Sequence, residues 1–223
     1  MTARAREAIL YGGTGQAKVV RAILEPQGIR VVAVVDDTAE LAPPFDDVPL
    51  LLGLDGLRSW ISRRDAGALG FCVAIGPPHG LIRVKIADEL TALGLTELSA
   101  VHPSSVIDPS ARIGRGFQAM AGAIVQPHAV IGRQCIVNTR ASVDHECVLA
   151  DGCDIGPAAT LCGEVTVGRG AWIAAGATIL PRLTIGERAV VGAGSLVRTR
   201  VEAHTTVVGV PASVLHRDRR LLK

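Results

Sequence analysis

Hydrophobic residues recur at every sixth position through the second half of the chain. From Ile107 to Val197, fifteen of these sixteen positions hold a branched aliphatic residue, and the phase never slips. An amphipathic helix repeats every 3.6 residues and a half-buried strand every two, so neither keeps a six-residue phase. The pattern is typical of a parallel β-helix built from hexapeptide repeats.

A second position, four residues after each aliphatic one, is mostly Ala, Cys or Ser. One bulky and one small side chain per six residues suits a short strand followed by a tight turn. We therefore predict that Cys135, Cys147 and Cys153 pack inside the coil as small hydrophobic groups. Stacked coils need capped ends, which the segments before Ile107 and after Val197 would supply. Several glycines directly follow the aliphatic position, where we predict turns with positive φ: Gly114, Gly132, Gly156, Gly168, Gly186 and Gly192.

The first hundred residues have a different pattern. Continuous apolar runs at 8–11, 29–35 and 69–75 predict buried strands, and residues 17–24 and 81–94 are helix-compatible. Alternating strands and helices favour a parallel sheet with ligands at the carboxyl ends of its strands. We expect this sheet to be small, with three or four strands.

Two domains are therefore predicted: a Rossmann-like α/β domain over residues 1–100 and a parallel β-helix with its C-terminal cap over residues 101–223. Hydrophobic residues make up 48% of the chain and aromatic residues only 3%, so Val, Ile, Leu and Ala must build the core. Mean hydropathy is +0.36, yet no run of about 18 apolar residues occurs. We expect no membrane span.

The charge and the cysteines narrow the class of protein further. The net charge of +2 argues against nucleic-acid binding driven by bulk charge. Five cysteines without CxxC spacing suggest neither a disulfide framework nor a zinc ribbon. No secretory signal is visible at the N-terminus, and we expect a reducing cytoplasm. The histidine spacing does not suggest a metal site.

A glycine turn follows the first predicted strand. It contains Gly13-x-Gly15, and the acidic pair Asp36-Asp37 comes about 20 residues later, where an acid can bind ribose hydroxyls. The dinucleotide fingerprint is incomplete because Lys18 stands at its third glycine position. Two interpretations stay open: a site for a mononucleotide, favoured over a dinucleotide by the small sheet, or a plain glycine turn beside a solvated acidic loop.

His145 lies inside the repeat between two acidic residues, Asp144 and Glu146. An imidazole can accept a proton near neutral pH, and a flanking carboxylate can orient it. The alternative is a surface histidine at the edge of a strand.

The chain resembles a known family through several of these features. The hexapeptide array, the stretch 138–147 and the closing Gly209-Val210-Pro211-Ala212 resemble bacterial acyltransferases with left-handed β-helices. The segments 11–16 and 35–37 narrow the resemblance to the sialic acid O-acetyltransferase-like (NeuD) family, which includes nucleotide-sugar 4-amino N-acetyltransferases. The left hand of the coil is implied by this resemblance alone.

The resemblance also implies a homotrimer, with acetyl-CoA as cosubstrate in the cleft between adjacent β-helices. His145 would be the general base for a direct attack on the thioester, and Glu146 would fix the tautomer of its imidazole. A backbone N–H near Gly163 would stabilise the oxyanion. The nucleotide-linked amino sugar would contact Gly13, Thr14, Gly15, Gln16, Asp36, Asp37, Gly76 and Arg83. Acetyl-CoA would contact Asn138, Asp154, Gly163, Ala175 and Ala193.

Three functions follow as hypotheses. The first is N-acetylation of the 4-amino group of a nucleotide-linked amino-dideoxy sugar. The second is O-acetylation of sialic acid or another sugar. The third is a non-catalytic trimer that binds nucleotide-sugars, in which the pairing of His145 with Glu146 would be incidental.

Overall fold

The computed structural model describes residues 5–217, which form two compact units. The first unit comprises the chain up to residue 76 together with residues 85–100. The second comprises residues 77–84 and the chain from residue 101 onward. No helix within the described residues is long and apolar enough to cross a bilayer.

The first unit contains a parallel sheet of five strands rather than the three or four expected. Its strands are Glu7–Tyr11 (β1), Arg30–Asp36 (β2), Leu50–Leu52 (β3), Leu69–Val73 (β4) and Thr96–Glu97 (β5), in the order β3-β2-β1-β4-β5. The helices are Gly15–Leu24 (α1), Gly53–Ile61 (α2) and Gly80–Ala92 (α3), with short 3₁₀ turns at Glu25–Gln27 and Ala66–Ala68. The two strands not expected, β3 and β5, lie at the edges of the sheet and are three and two residues long.

The apolar runs form the centre of this sheet because their side chains are buried on both faces. All five residues of β4 are buried, and the last four of β1 are too. Helix α1 turns Ala17, Val20, Ile23 and Leu24 toward the interior at helical spacing. Since the strands are parallel, their carboxyl ends meet at one edge of the sheet.

The second unit is a left-handed parallel β-helix with two-residue strands. Each coil takes 18 residues, so every strand pairs in register with the strand three further along the chain, as Ile124-Val125 does with Ser142-Val143. The strands are Ala100–Val101 (β6), Val106–Ile107 (β7), Arg112–Ile113 (β8), Gln118–Ala119 (β9), Ile124–Val125 (β10), Val130–Ile131 (β11), Ile136–Val137 (β12), Ser142–Val143 (β13), Val148–Leu149 (β14), Asp154–Ile155 (β15), Thr160–Leu161 (β16), Thr166–Val167 (β17), Trp172–Ile173 (β18), Thr178–Ile179 (β19), Thr184–Ile185 (β20), Val190–Val191 (β21), Leu196–Val197 (β22), Thr205–Gly209 (β23) and Ala212–Arg217 (β24).

These strands form the three faces of the coil. One face is the sheet β22-β19-β16-β13-β10-β7, the second is β20-β17-β14-β11-β8, and the third is β24-β23-β21-β18-β15-β12-β9-β6. The aliphatic and small positions of the repeat point inward and build one continuous core. Cys135, Cys147 and Cys153 lie in that core, which confirms the prediction of their packing.

The turns use the repeat differently from the prediction. Positive φ occurs at every sixth residue from Gly116 to Gly194, two residues beyond the glycines predicted to have it, and it includes Glu146 at +58°. The expectation for Gly114, Gly132, Gly156, Gly168, Gly186 and Gly192 was therefore wrong. These glycines are required by close stacking instead: a Cβ atom at Gly132 would lie 2.7 Å from the backbone carbon of Ala150 in the next coil.

The turns stack into three edges, which we name by one member of each. The His145 edge contains the turns at 127–128, 145–146, 163–164 and 181–182. The Ala175 edge contains those at 139–140, 157–158, 175–176 and 193–194, and the Asp151 edge those at 133–134, 151–152, 169–170 and 187–188. Residues 18 apart therefore occupy the same place on an edge in successive coils.

Both ends of the coil are extended by strands of the third face, as the capping argument requires. β6 adds to one end of that sheet, and the antiparallel hairpin of β23 and β24 adds to the other. Gly209 at the hairpin turn donates its N–H to Ser195 Oγ at 3.1 Å, which fastens the hairpin to the last coil.

Candidate active site

His145 and Glu146 occupy one turn of the His145 edge. Glu146 Oε2 lies 3.1 Å from His145 Nδ1. An ionised carboxylate only accepts hydrogen bonds, so Nδ1 carries the proton and Nε2 of the neutral ring keeps its lone pair. Both side chains are accessible, being 50% and 60% exposed. Asp144 is directed elsewhere, because its Oδ1 accepts the backbone N–H of His145 at 2.8 Å.

Gly163 lies directly beneath the imidazole, one coil further along the same edge. A Cβ atom at this position would be 2.4 Å from His145 Nε2 and 2.5 Å from Cε1. The glycine is therefore required by the close approach of the ring and not by backbone conformation, since its φ lies outside the left-handed region. This contact fixes where Nε2, the atom able to accept a proton, is held.

The backbone N–H of Gly163 has no acceptor among residues 5–217. The equivalent N–H one coil earlier, that of His145, is bonded to the Asp144 carboxylate, but Cys162 stands in place of that aspartate before Gly163. The substitution leaves a donor available close to Nε2. A donor and a base on one turn edge are the two groups that acyl transfer to an amine requires.

The residues predicted to contact acetyl-CoA do not lie together in one chain. Gly163 belongs to the His145 edge, whereas Asn138, Ala175 and Ala193 belong to the Ala175 edge. Ala175 and Ala193 are exposed, and Asn138 Oδ1 accepts the N–H of Thr139 at 2.7 Å. The structure thus places this predicted set on two separate edges of the coil.

Arg83 and Asp154, predicted to contact different substrates, bind each other. Arg83 Nη2 lies 2.6 Å from Asp154 Oδ1, and its Nε and Nη2 also donate to the carbonyl of Gln134 at 3.1 and 2.9 Å. Arg83 is 0% and Asp154 2% exposed, so the structure presents neither side chain to a ligand. Burial raises the pKa of Asp154, and the Arg83 guanidinium offsets part of that rise.

The ion pair anchors a segment that sequence reasoning missed. Residues 77–84 belong to the second unit, and backbone meets backbone where Gly80 packs on Gly152: a Cβ atom at Gly80 would lie 1.7 Å from the Gly152 carbonyl oxygen. One coil later, a Cβ atom at Gly170 would be 2.7 Å from the Leu81 side chain. Glycines at the same turn position of two successive coils were the available signal for a segment lying across the Asp151 edge.

The glycine turn of the first unit holds Asp36 in place. Gly13 N–H donates to Asp36 Oδ2 at 2.7 Å and Thr38 N–H to Oδ1 at 2.9 Å. Burial alone would raise the pKa of Asp36, but these two donors outweigh it and hold the pKa below its usual value. Gly12, with φ of +113°, has no room for a side chain, since a Cβ atom would lie 2.4 Å from the Ala74 carbonyl oxygen.

The other residues predicted to bind the nucleotide surround the same carboxyl edge of the sheet. Thr14 precedes α1, whose N-terminal turn contains Gly15 and Gln16, and the space beside Gly15 and Gly76 is open. Tyr11 Oη donates to Asp37 Oδ1 at 2.7 Å. Burial, and then this hydrogen bond, raise the pKa of Tyr11. A helix N-terminus beside fixed carboxylates is a place where phosphates and ribose hydroxyls can both be bound.

No group of three or more His, Cys, Asp or Glu side chains within residues 5–217 could hold a metal ion. The candidate chemistry is therefore described by the titratable and backbone groups of the two units.

Comparisons with known proteins place this geometry among enzymes. The family described as Bacterial transferase hexapeptide (six repeats) matches residues 164–199. A search of curated protein sequences found no match. A perosamine N-acetyltransferase from Caulobacter crescentus, solved with CoA and GDP-perosamine and with one histidine replaced by asparagine, is similar at 35% identity and a TM-score of 0.82. The match covers 94% of this chain and 97% of that one.

Two further solved structures agree. The acetyltransferase domain of PglB from Neisseria gonorrhoeae, in complex with acetyl coenzyme A, is 30% identical with a TM-score of 0.83, over 94% of this chain and 99% of that one. WeeI from Acinetobacter baumannii is 27% identical with a TM-score of 0.82, over 93% and 99%.

The coil, the histidine–glutamate pair on its edge and these matches define a class, the hexapeptide-repeat acyltransferases. Within that class, the similarity to the Caulobacter and Neisseria proteins extends over both units of the chain. The chain belongs to the sialic acid O-acetyltransferase-like family, in its branch of nucleotide-sugar N-acetyltransferases.

Proposed function

We propose that the protein transfers the acetyl group of acetyl-CoA to the 4-amino group of a nucleotide-linked amino-dideoxy sugar, with His145 as general base. The observation that carries this proposal is the hydrogen bond from His145 Nδ1 to Glu146 Oε2, which leaves Nε2 free of its proton beside Gly163. The Caulobacter relative, solved with CoA and GDP-perosamine, supports both substrate classes.

The reaction needs no acyl-enzyme. The amine nitrogen of the sugar attacks the thioester carbonyl carbon, and Nε2 of His145 takes the proton that the amine loses. Gly163 N–H stabilises the oxyanion that forms on the carbonyl oxygen. As that intermediate collapses, the carbon–sulfur bond breaks, and the imidazolium returns the proton to give free CoA thiol and the acetamido sugar. Glu146 keeps the ring in the tautomer that begins the cycle.

The first unit supplies the nucleotide site in this proposal. The N-terminal turn of α1 offers backbone N–H groups to the diphosphate, and the dipole of the helix favours its negative charge. Asp36, with each oxygen already accepting one N–H, keeps lone pairs for ribose hydroxyls. Gly13 positions this carboxylate. Arg83 and Asp154 receive a supporting role in the proposal, because their buried ion pair fixes residues 77–84 on the coil.

We also propose that the active assembly is a homotrimer in the cytoplasm. One copy of the chain carries Gly163 on its His145 edge and Ala175 with Ala193 on another edge. A ring of three copies can set the Ala175 edge of one coil against the His145 edge of the next, which would give acetyl-CoA both walls of a cleft. All five cysteines are free, which fits a reducing compartment. Light scattering after size exclusion measures the mass of the assembly, and a monomer would contradict this arrangement.

The test of the activity is thiol release from acetyl-CoA over a panel of UDP-, dTDP- and GDP-linked 4-amino sugars, with mass spectrometry of the products. We expect one nucleotide class to give a product heavier by a single acetyl group. Turnover of sialic acid alone would favour O-acetylation, and the absence of thiol release with every acceptor would favour a binding protein; either result would overturn the proposal.

The test of the base compares two histidines on the same edge. His145→Ala should lower kcat by about 10²- to 10⁴-fold, the usual contribution of a general base, with acetyl-CoA binding retained. His128→Asn, one coil earlier, is the matched control, since Asn tolerates the left-handed backbone at that position. Equal rates for His145→Ala and the unmodified protein would exclude the assigned base.

A further inference from the structure

We propose that Arg198 and Arg200 bind the diphosphate of the acyl donor, three coils beyond the general base on the same edge. This inference rests on the proposed function, because it takes acetyl-CoA as the donor. It adds the direction in which the donor lies along the coil and the side chains that recognise its nucleotide end.

The chemistry of the His145 edge changes in a fixed order toward the C-terminus. The coil after His145 presents Cys162 and Gly163, and the next presents Leu180, which is 37% exposed, and Pro181. The coil after that presents Arg198 and Arg200 around Thr199. A proton acceptor is thus followed by two coils of small or apolar surface and then by two cations.

The opposite direction lacks this order. One coil before His145 the edge carries Gln126 and Pro127, and two coils before it carries Asp108 and Pro109. Hydrogen bonds from Ser110 lower the pKa of Asp108, which keeps an anion at that end. Since CoA bears its negative charges on the diphosphate and the 3′-phosphate, charge alone favours an arm that extends toward Arg198.

The lengths agree with that direction. Neighbouring strands lie about 4.8 Å apart, so the three coils from His145 to Thr199 span about 14 Å. The pantetheine arm joins its sulfur to the first phosphorus through about 13 bonds, which at ~3.6 Å per three bonds of extended chain reach about 16 Å. A thioester carbonyl at Gly163 therefore brings the diphosphate level with the two arginines.

The two guanidinium groups are available to a phosphate. Arg198 has no acidic partner within residues 5–217, and Arg200 pairs with Glu202 at 3.2 Å while remaining 68% exposed. An exposed pair of this kind contributes little, so a diphosphate can replace it. By contrast, Arg182 in the apolar stretch is held by Glu164 at 2.9 Å. A cavity of about 200 Å³ lies at the level of the last coil, and Thr199, Arg200 and Ser213 are among the residues that line it.

The experiment compares two donors in the full-length protein. The double variant Arg198→Gln/Arg200→Gln should raise KM for acetyl-CoA about tenfold or more, with kcat unchanged, because the two charges contact the donor far from the reacting carbon. For S-acetylpantetheine, which has no nucleotide, the same variant should match the unmodified protein. The control is Arg169→Gln, which removes an exposed arginine from the Asp151 edge and should change neither KM. Acetyl-dephospho-CoA separates the diphosphate from the 3′-phosphate: a persisting penalty identifies the diphosphate.

Three results would overturn the assignment: an unchanged KM for acetyl-CoA, an equal rise for both donors, or a penalty that disappears with acetyl-dephospho-CoA. Calorimetric titration of acetyl-CoA without any sugar separates this inference from the function on which it rests. Binding that weakens in the double variant supports the arginine site even where no tested sugar is acetylated, and absence of binding to the unmodified protein would overturn both proposals.

Discussion

Replacing Gly163 by alanine should disable the base without unfolding the coil. The added Cβ would lie 2.4 Å from His145 Nε2, whereas ordinary contacts begin near 3.4 Å. The ring must therefore move by about 1 Å, and a displacement of that size can lower a rate about 100-fold. Because the side chain of His145 is half exposed, it can swing outward instead of straining the core.

The stability of this variant should change little. Gly163 does not use the left-handed backbone, so alanine is compatible with its conformation, and the lost freedom of the unfolded chain offsets part of any strain. We expect kcat to fall about 100-fold while the melting temperature stays within a few degrees. The backbone N–H that would bind the oxyanion is retained, so the loss reports on the ring.

A double-mutant cycle with His145→Ala is the decisive assay for Gly163→Ala. If the alanine acts by displacing the imidazole, it should have no further effect once the ring is removed. Steady-state rates for the four proteins give the interaction directly. Full activity of Gly163→Ala, or the same loss in both backgrounds, would refute the proposed positioning of Nε2.

Three more predictions follow from contacts described above. Glu146→Ala should lower kcat about tenfold or more by releasing the imidazole, with the Kd for acetyl-CoA unchanged; equal initial rates would show that the carboxylate does not orient the ring. Arg83→Met leaves Asp154 buried and unpaired and should cost about 3–5 kcal/mol in urea unfolding, most of it recovered in Arg83→Met/Asp154→Leu; an unchanged unfolding midpoint in Arg83→Met would contradict this role. The lowered pKa of Asp36 stabilises the fold above the usual value of 3.8, and this contribution is lost as pH falls through the folded pKa, so the stability difference between the unmodified protein and Asp36→Asn should shrink below pH 3.8 in acid titrations; a constant difference would contradict the linkage.

The six-residue phase was sufficient to predict the coil because each inward side chain has one neighbour set, repeated along the axis. It did not locate the left-handed residues. The glycine in each repeat is decided by the next coil, 18 residues away, as the approach of Gly132 to Ala150 shows. The left-handed position itself tolerates Glu146, so composition gives no signal there.

The candidate site was partly predictable. The pairing of His145 with Glu146 is local, and a sequence motif can show it. The partnership of Arg83 with Asp154 joins residues 71 positions apart and depends on a segment lying across the coil, so no local pattern shows it. Strands β3 and β5 were missed for another reason, since three or two residues are too few to show a period.

The uniform stacking of the coils makes the His145 edge a molecular ruler. Every coil offers the same backbone at the same place, so the graduation is one strand spacing, about 4.8 Å, and substitutions alone decide which graduation carries a base, an apolar surface or a cation. A deletion of 18 residues between His145 and Thr199 would preserve the register of all three faces. It would also shorten the measured length by one graduation, which would match the enzyme to a donor with a shorter arm.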